Sequence, residues 1–413
     1  MNILFIHQNF PAQFKHLAPA LAHAGHQVLA LSTRAGPTLS GVKQLVYPIR
    51  QASSEQIHNL AADFETKVIR AQACAEAMLQ LKQQGFVPDL VIAHPGWGEA
   101  LFVKEIFPAT KTLFFLEFFY HAYGADTHFD SEFEQENWFS DAKIRVKNAT
   151  NLLSLQQMDF AYTPTAWQKQ TFPALYHPQI RVIHDGIDTD YLQPQSDTSL
   201  TIQHNDVSLT LRAGDEIITF VNRNLEPYRG YHRFMRALPA ILEARPKARV
   251  LLVGGDQLSY GAPAHAGKSW KQVMLDELGS QLDLSRVHFL GALPYESYLQ
   301  VLRVSAVHVY LTYPFVLSWS MLEAMALGCL VVGSRTAPVT EVIQHGKNGL
   351  LVDFFNQDEL VATVTDALAH PEIYRKIRQQ ARQHIVTHYD LQRRCLPAQL
   401  QLVQQLLACP EHG

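Results

Sequence analysis

Cysteine is scarce in this 413-residue chain: Cys74, Cys329, Cys395 and Cys409 stand far apart, with no C-x-x-C pair among them. That excludes a disulfide framework and gives no zinc-binding spacing, so a reducing cytoplasm is the expected compartment. Charge of one sign is equally lacking, at −4 overall, which gives no hint of the basic face that nucleic-acid binding would need. No apolar run approaches the ~20 residues of a membrane-spanning helix. Peripheral contact with the inner face of a membrane is the one membrane association left. The chain opens on the strand-like Asn2-Ile-Leu-Phe-Ile6 and lacks the charged region and longer apolar core of a secretion signal. Repeats of solenoid length, coiled-coil heptads and low-complexity tracts are missing too. What is present is 47% hydrophobic and 17% charged residues, the balance of an α/β protein long enough for two or three domains.

The stretch from Val307 to Glu341 organises the rest. Val307, Val309 and Leu311 alternate as in a strand, Pro314 breaks it, and Trp319 to Leu327 reads as a helix closed by Gly328. Leu330 to Ser334 forms the next strand. Such a βαβ unit demands a parallel sheet covered by helices, whose ligands sit beyond the carboxyl ends of the strands. The loop from Thr312 to Ser320 therefore faces a site, and unpaired backbone N–H groups at Ser318, Trp319 and Ser320 would suit a phosphate. Glu323, just inside that helix, can point its carboxylate at ligand hydroxyls. Upstream, the strand Glu216 to Val221 leads into Asn222-Arg223-Asn-Leu-Glu-Pro-Tyr-Arg229-Gly230. Two guanidinium groups on one βα loop match a diphosphate, because Arg stays charged and binds oxyanions bidentately.

The first half repeats the pattern. Strands end at His7, at His94-Pro-Gly-Trp-Gly98 and at Glu117-Phe-Phe-Tyr-His121, so all three loops open on one rim. His7 has the plainer reading of a hydrogen-bonded residue at a strand end. The aromatic run Phe118 to Phe129 can stack on a sugar or lipid acceptor, or simply pack. One helix is expected over Asp141 to Met158, one long or two short helices over Glu55 to Gln84, a linker or hairpin over Gln193 to Gly214, and a final helix over Leu391 to Ala408. Asp188-Thr-Asp190 has the form of a metal-binding D-x-D, against the ordinary reading of an Asp-rich turn. Ala266-Gly-Lys-Ser269 imitates the end of a P-loop but lacks the glycine at the required place and a preceding strand.

These segments carry a family resemblance. Ser320-Met-Leu-Glu323-Ala-Met-Ala-Leu-Gly328, the opening MNILFIHQNFPAQFKHLAPALAHAGHQVLAL and the Ile180 to Tyr191 stretch with its HDGID resemble the retaining, nucleotide-sugar-dependent glycosyltransferases of family 4. The resemblance implies a GT-B fold: two Rossmann-like domains facing each other across a cleft, with a C-terminal helix returning to the first. The implied divisions are 1–187 for the acceptor side, 188–390 for the donor side and 391–413 for the returning helix. In that family two glutamates flank the organising loop, one near the donor sugar and one on the nucleotide ribose. Glu323 matches the second; Phe315 stands at the first, so this chain departs from the pattern at the sugar-contacting position. Arg223 and Arg229 match the diphosphate-holding pair, and Gly291 and Leu293 the turn presenting main-chain groups to the base. A histidine after the strand that precedes Glu117 to His121 has its nearest matches in Glu117 and His121, with His94 a third candidate to orient the acceptor. The expected activity is metal-independent hexosyl transfer from a UDP- or GDP-sugar to a saccharide, lipid-linked or other small acceptor, with no cofactor and no nucleic-acid partner. A non-catalytic nucleotide-sugar-binding protein and a GT-B epimerase or phosphorylase are the alternatives.

Overall fold

The computed structural model describes residues 1–133, 137–204, 207–264 and 267–408; Cys409 and Ala266 lie outside them. The chain forms two units, one of Met1–His128, Glu134–Gly186 and Leu391–Gly413, the other of Phe129–Phe133 and Ile187–Asp390.

The first unit holds a seven-stranded parallel sheet: β1 Asn2–Ile6, β2 Gln27–Ser32, β3 Val42–Val46, β4 Leu90–Ala93, β5 Lys111–Phe115, β6 Phe160–Thr163 and β7 Ile180–Val182, in the order β3-β2-β1-β4-β5-β6-β7. Its helices are α1 Leu17–His23, α2 Ala62–Gln83, α3 Val103–Ile106, α4 Trp138–Lys147, α5 Ala149–Gln156, α6 Ala166–Thr171 and, from the chain's end, α14 Leu396–Ala408. Because side chains alternate across a strand, both faces of this sheet are apolar and each is covered. Leu4, Ile6, Leu29 and Val91 meet Cys74, Met78 and Leu81 of α2 on one face. Ile3, Phe5, Val28 and Ile92 meet Leu17 and Leu21 of α1 and Leu402, Val403 and Leu406 of α14 on the other. The final helix thus belongs to the first unit's core. Lys111 Nζ adds a hydrogen bond to Leu406 O at 2.8 Å.

The second unit carries a hairpin, β8 Ser199–His204 with β9 Val207–Arg212, and a six-stranded parallel sheet. Its strands are β10 Ile217–Asn224, β11 Arg249–Gly255, β12 Val287–Gly291, β13 Val307–Tyr310, β14 Leu330–Ser334 and β15 Leu350–Val352, in the order β12-β11-β10-β13-β14-β15. The helices are α7 Tyr231–Ala244, α8 Trp270–Leu278, α9 Tyr295–Arg303, α10 Trp319–Ala326, α11 Ala337–Thr340, α12 Gln357–Ala369 and α13 Arg375–His388. Met321, Leu322 and Met325 of α10 pack with Leu299 and Leu302 of α9, Ala381 and Ile385 of α13, and Leu251, Val331 and Leu351 of the sheet. On α7, Phe234 stacks on Phe220 of β10 at 4.6 Å between centroids. Both sheets are doubly wound, with strand order reversing between β1 and β4 in one and between β10 and β13 in the other.

Several expected elements are altered by tertiary contacts. The helix read over Asp141 to Met158 breaks at Asn148, whose side chain accepts from Tyr120 N at 3.0 Å and donates to Tyr120 O at 2.7 Å. The helical stretch expected over Glu55 to Gln84 is one helix that begins only at Ala62. The segment from Leu391 starts as a π-helical turn, Leu391–Cys395, before α14.

Three of the buried histidines resist protonation strongly. His308 of β13 is fully enclosed, with Thr219 Oγ1 2.9 Å from Nδ1, and burial lowers its pKa to about 3. Burial lowers His184 to about 4, and burial with the neighbouring His94 lowers His7 to about 3. The unfolded chain takes up these protons near pH 6.5 while the folded chain refuses them until far lower, so stability falls as pH drops from about 6.5 towards 3. At pH 5 each histidine is expected to remove roughly 2 kcal/mol relative to neutral pH. Thermal unfolding between pH 7.5 and 5 measures this; a flat profile would contradict it.

Candidate functional site

In a doubly wound sheet the ligand crevice lies where strand order reverses. In the second unit that point is flanked by the loop after β10 and the loop after β13. The sequence suggested a loop from Asn222 onwards, but β10 runs on to Asn224 past an irregularity after Val221, so Arg223 stands at the end of that strand; its side chain is exposed and makes no hydrogen bond or ion pair among the described residues. Arg229, six residues on in the loop that follows, is only 5% exposed. Its Nη1 donates to Thr312 Oγ1 at 2.8 Å and to Val316 O at 2.9 Å, so it ties one loop to the other. Its guanidinium lies 5.2 Å from the ring centroid of Tyr260 and 5.6 Å from that of Phe315. Burial opposes this charge, yet Tyr310, Tyr260 and Glu226 hold its pKa above the ordinary value. Gly230 follows with φ +68°, and a Cβ there would stand 2.3 Å from Leu311 Cβ; only glycine lets the loops approach this closely.

Phe315 is buried among rings, 5.2 Å from Tyr228 and 5.0 Å from Tyr260, both edge-on. The Tyr260 loop is held by Glu226, whose Oε2 accepts the backbone N–H groups of Ser259, Tyr260 and Gly261 at 3.2, 3.1 and 3.3 Å. Where a carboxylate could have faced a sugar, the structure has an aromatic wall.

Ser318 caps α10, its Oγ accepting from Ser320 N at 3.3 Å, while its own N–H donates to the Tyr310 hydroxyl at 2.9 Å. The sequence suggested unpaired amides at this helix start; two of them already have protein partners because a cap and a buried phenol reach them first. Trp319 is half-buried beside them. Glu323, one turn further, is 8% exposed and accepts from Tyr295 Oη at 2.7 Å and Tyr298 Oη at 2.6 Å, one phenol on each oxygen. Each carboxylate oxygen keeps a second acceptor site. Burial and the adjacent Glu323 raise both phenols well above their usual range, so both remain donors. Sequence reading missed these tyrosines, although their i, i+3 spacing on α9 puts them on one helix face. Gly291 ends β12 with φ +67° and open space beyond it, and Leu293 packs on the core beneath.

In the first unit the crevice lies between β1 and β4, and the residues after those strands are His7 and His94. Their rings meet edge to face at 5.5 Å. Asn9 N donates to His7 Nδ1 at 2.9 Å, which places the proton of the neutral ring on Nε2. From the end of neighbouring β5, Glu117 brings Oε2 to 3.4 Å from His94 Nε2. Fully buried Glu99 joins this group electrostatically, its carboxyl pushed towards the neutral form by burial. His121 points elsewhere, its Nε2 2.6 Å from Thr171 O. The structure thus joins His94 with Glu117, adds His7, and leaves His121 apart.

Asp188 Oδ1 accepts from Tyr191 N at 3.0 Å, closing a local turn, and Thr189 between the two aspartates bonds Asp390. Among the described residues one group has metal-ligand spacing, Asp130, Glu132 and His232. Its carboxylates already face Arg233 and Arg236, with Arg236 Nη2 2.6 Å from Glu132 and Arg233 Nη2 3.4 Å from Asp130. Two guanidinium groups on the same oxygens disfavour a cation there.

Residues 24–192 match the family model described as Glycosyl transferase family 4 group, and residues 202–384 that of Glycosyl transferases group 1. Both matches are to glycosyl transferases, and together they span most of the chain. A D-inositol 3-phosphate glycosyltransferase from Corynebacterium jeikeium is 30% identical over 175 residues, 42% of this chain and 40% of that relative's length. A glycogen synthase from Mycobacterium tuberculosis is 24% identical over 95% of this chain and 92% of its own. Sucrose-phosphate synthase from Thermosynechococcus elongatus shares the fold with a TM-score of 0.72 at 18% identity, covering 99% of both chains. Anabaena HepE, solved in complex with UDP-glucose, does so with a TM-score of 0.66 at 14% identity over 99% of this chain and 100% of its own. The GT-B fold implied by the family 4 motifs is therefore the fold of this protein. No helix of the described residues is long and apolar enough to cross a membrane.

Proposed function

We propose that this protein is a family 4 glycosyltransferase that moves a hexose from a UDP- or GDP-sugar to an acceptor hydroxyl with retention, without a metal, in glycan or glycolipid biosynthesis. One observation carries the reading. At the second unit's switch point an exposed guanidinium with no partner among the described residues, Arg223, stands at the end of β10, and a buried carboxylate held by two phenols, Glu323, lies one turn into α10. Loss of a nucleoside diphosphate from an anomeric carbon leaves negative charge on the phosphate, and fixed positive groups supply the rate. Arg223 and the α10 start would face that charge, with Arg229 fixing the loop between them. The remaining acceptor sites of Glu323 would take ribose hydroxyls and position the donor. Gly291 and Leu293 would border the base. In the first unit His94, with Glu117 beside it, would orient an acceptor hydroxyl whose proton passes to the departing phosphate. The UDP-glucose bound by HepE and the names of the glycogen and sucrose-phosphate synthases support this donor class.

Incubation with UDP- and GDP-sugars is expected to release UDP or GDP slowly even without acceptor, through water taking the acceptor's place. Coupled detection of the free nucleotide measures it. Binding without release under every donor would favour the non-catalytic alternative, for which the apolar surroundings of Phe315 are the motive.

A further inference from the structure

Five residues of the second unit come from within the first unit's sequence: Phe129-Asp-Ser-Glu-Phe133, a strap following the loop that begins at Glu117. Every side chain described on this strap with a ring or charge is engaged. Asp130, 2% exposed, receives His232 Nε2 on Oδ2 at 3.0 Å and Arg233 Nη2 on Oδ1 at 3.4 Å. His232 is fully buried in the first turn of α7, directly behind Arg229 and Gly230. Glu132 takes Arg236, one turn further along the same helix, at 2.6 and 2.8 Å. Phe133 lies 4.9 Å from the His232 ring and 4.9 Å from Trp270 of α8. Phe129 packs 5.1 Å from Tyr313, in the loop after β13, and 5.2 and 5.1 Å from Phe354 and Phe355 beyond β15. Tyr313 in turn lies 4.8 Å from Tyr228, Arg229's neighbour.

The strap therefore holds both walls of the crevice. Asp130 grips the α7 end of the arginine loop, and Phe129 grips the loop that leads to α10. Asp130 is fixed in geometry, because losing His232 and Arg233 would leave its carboxylate buried and uncompensated.

We infer that Asp130 and Phe129 are positioning residues for nucleoside-diphosphate binding: sequence lying beyond Glu117 sets the spacing of the donor loops without touching the donor. This rests on the donor-site reading above. Neither residue would contact ligand, so their effect passes through His232 and Tyr313.

The test compares Asp130→Asn and Phe129→Leu in the full chain with the unaltered protein and with Arg223→Ala, by calorimetric titration with UDP and GDP, and by donor KM and kcat in the release assay. Asparagine keeps the shape of Asp130 and removes its charge; leucine keeps most of Phe129's bulk. Each is expected to raise the dissociation constant about tenfold, equivalent to about 1.4 kcal/mol, and to raise donor KM with a smaller change in kcat. Asp130→Glu, which restores the charge, is expected to recover part of the affinity. A purely structural role would lower the melting temperature and leave the dissociation constant and KM of the folded fraction unchanged; that result in either variant overturns the inference. If the unaltered chain binds neither nucleotide, the donor-site reading fails and this inference falls with it. If Arg223→Ala abolishes binding while the strap variants bind normally, the inference alone fails.

Discussion

Arg223→Ala is expected to abolish the thermal stabilisation that a nucleoside diphosphate confers, while leaving the unliganded melting temperature where it was. Ligand at ~100 times Kd adds roughly 2.7 kcal/mol, and for a unit of this size that raises the midpoint by about 5–10 °C. Arg223 is exposed and makes no hydrogen bond or ion pair among the described residues, so its loss should move unliganded stability by no more than about 0.5 kcal/mol. Arg229→Ala is a different experiment. That guanidinium is buried and bonded to Thr312 and Val316, and its removal strips both partners and opens a cavity. A loss of about 2–4 kcal/mol in unliganded stability is expected, so a missing ligand shift in that variant would have two causes. Differential scanning fluorimetry with UDP and with GDP separates the two arginines. A full ligand shift in Arg223→Ala would remove the exposed guanidinium from the donor site.

In the first unit, His94→Ala and Glu117→Gln are each expected to lower donor turnover with acceptor about 10²- to 10⁴-fold, the range of a positioned general base or orienting group. Nucleotide affinity should stay unchanged, since both residues belong to the first unit and the proposed donor site to the second. The two substitutions together should cost little more than one alone, because Glu117 lies 3.4 Å from His94 and acts on the same ring. His121→Ala provides the contrast. Its imidazole is taken up by Thr171 O, so a small effect is expected. Steady-state rates of the three variants decide among the first-unit candidates, and a large loss confined to His121→Ala would overturn the placement of the acceptor group at the switch point.

How far these sites were legible depended on how local their causes are. The βαβ unit from Val307 to Ser334 was readable because strand alternation, Pro314 and Gly328 punctuate it within one stretch of chain. So was the rim of first-unit loops, since strands ending at His7, His94 and Glu117 must open on one edge of a parallel sheet. Thr165, of a type that favours helix starts, likewise acts locally: it caps α6 by accepting from Gln168 N at 3.0 Å. Contacts from distant sequence were not readable. Asn148 splits a helix because Tyr120's backbone claims its amide. Arg229 and Arg223 look alike in sequence, yet one is enclosed by Tyr260 and Phe315 and the other is open. The grip of Tyr295 and Tyr298 on Glu323 needs α9 and α10 to be neighbours, and the strap at Phe129–Phe133 needs a whole second unit to receive it.

The most direct measurement is a crystal structure of the chain grown with UDP- and GDP-sugars. The diphosphate is expected at the second unit's switch point, within hydrogen-bonding distance of Arg223 and against the start of α10, with ribose hydroxyls on Glu323. A nucleotide seated at any other edge of that sheet, with Arg223 facing solvent, would contradict it.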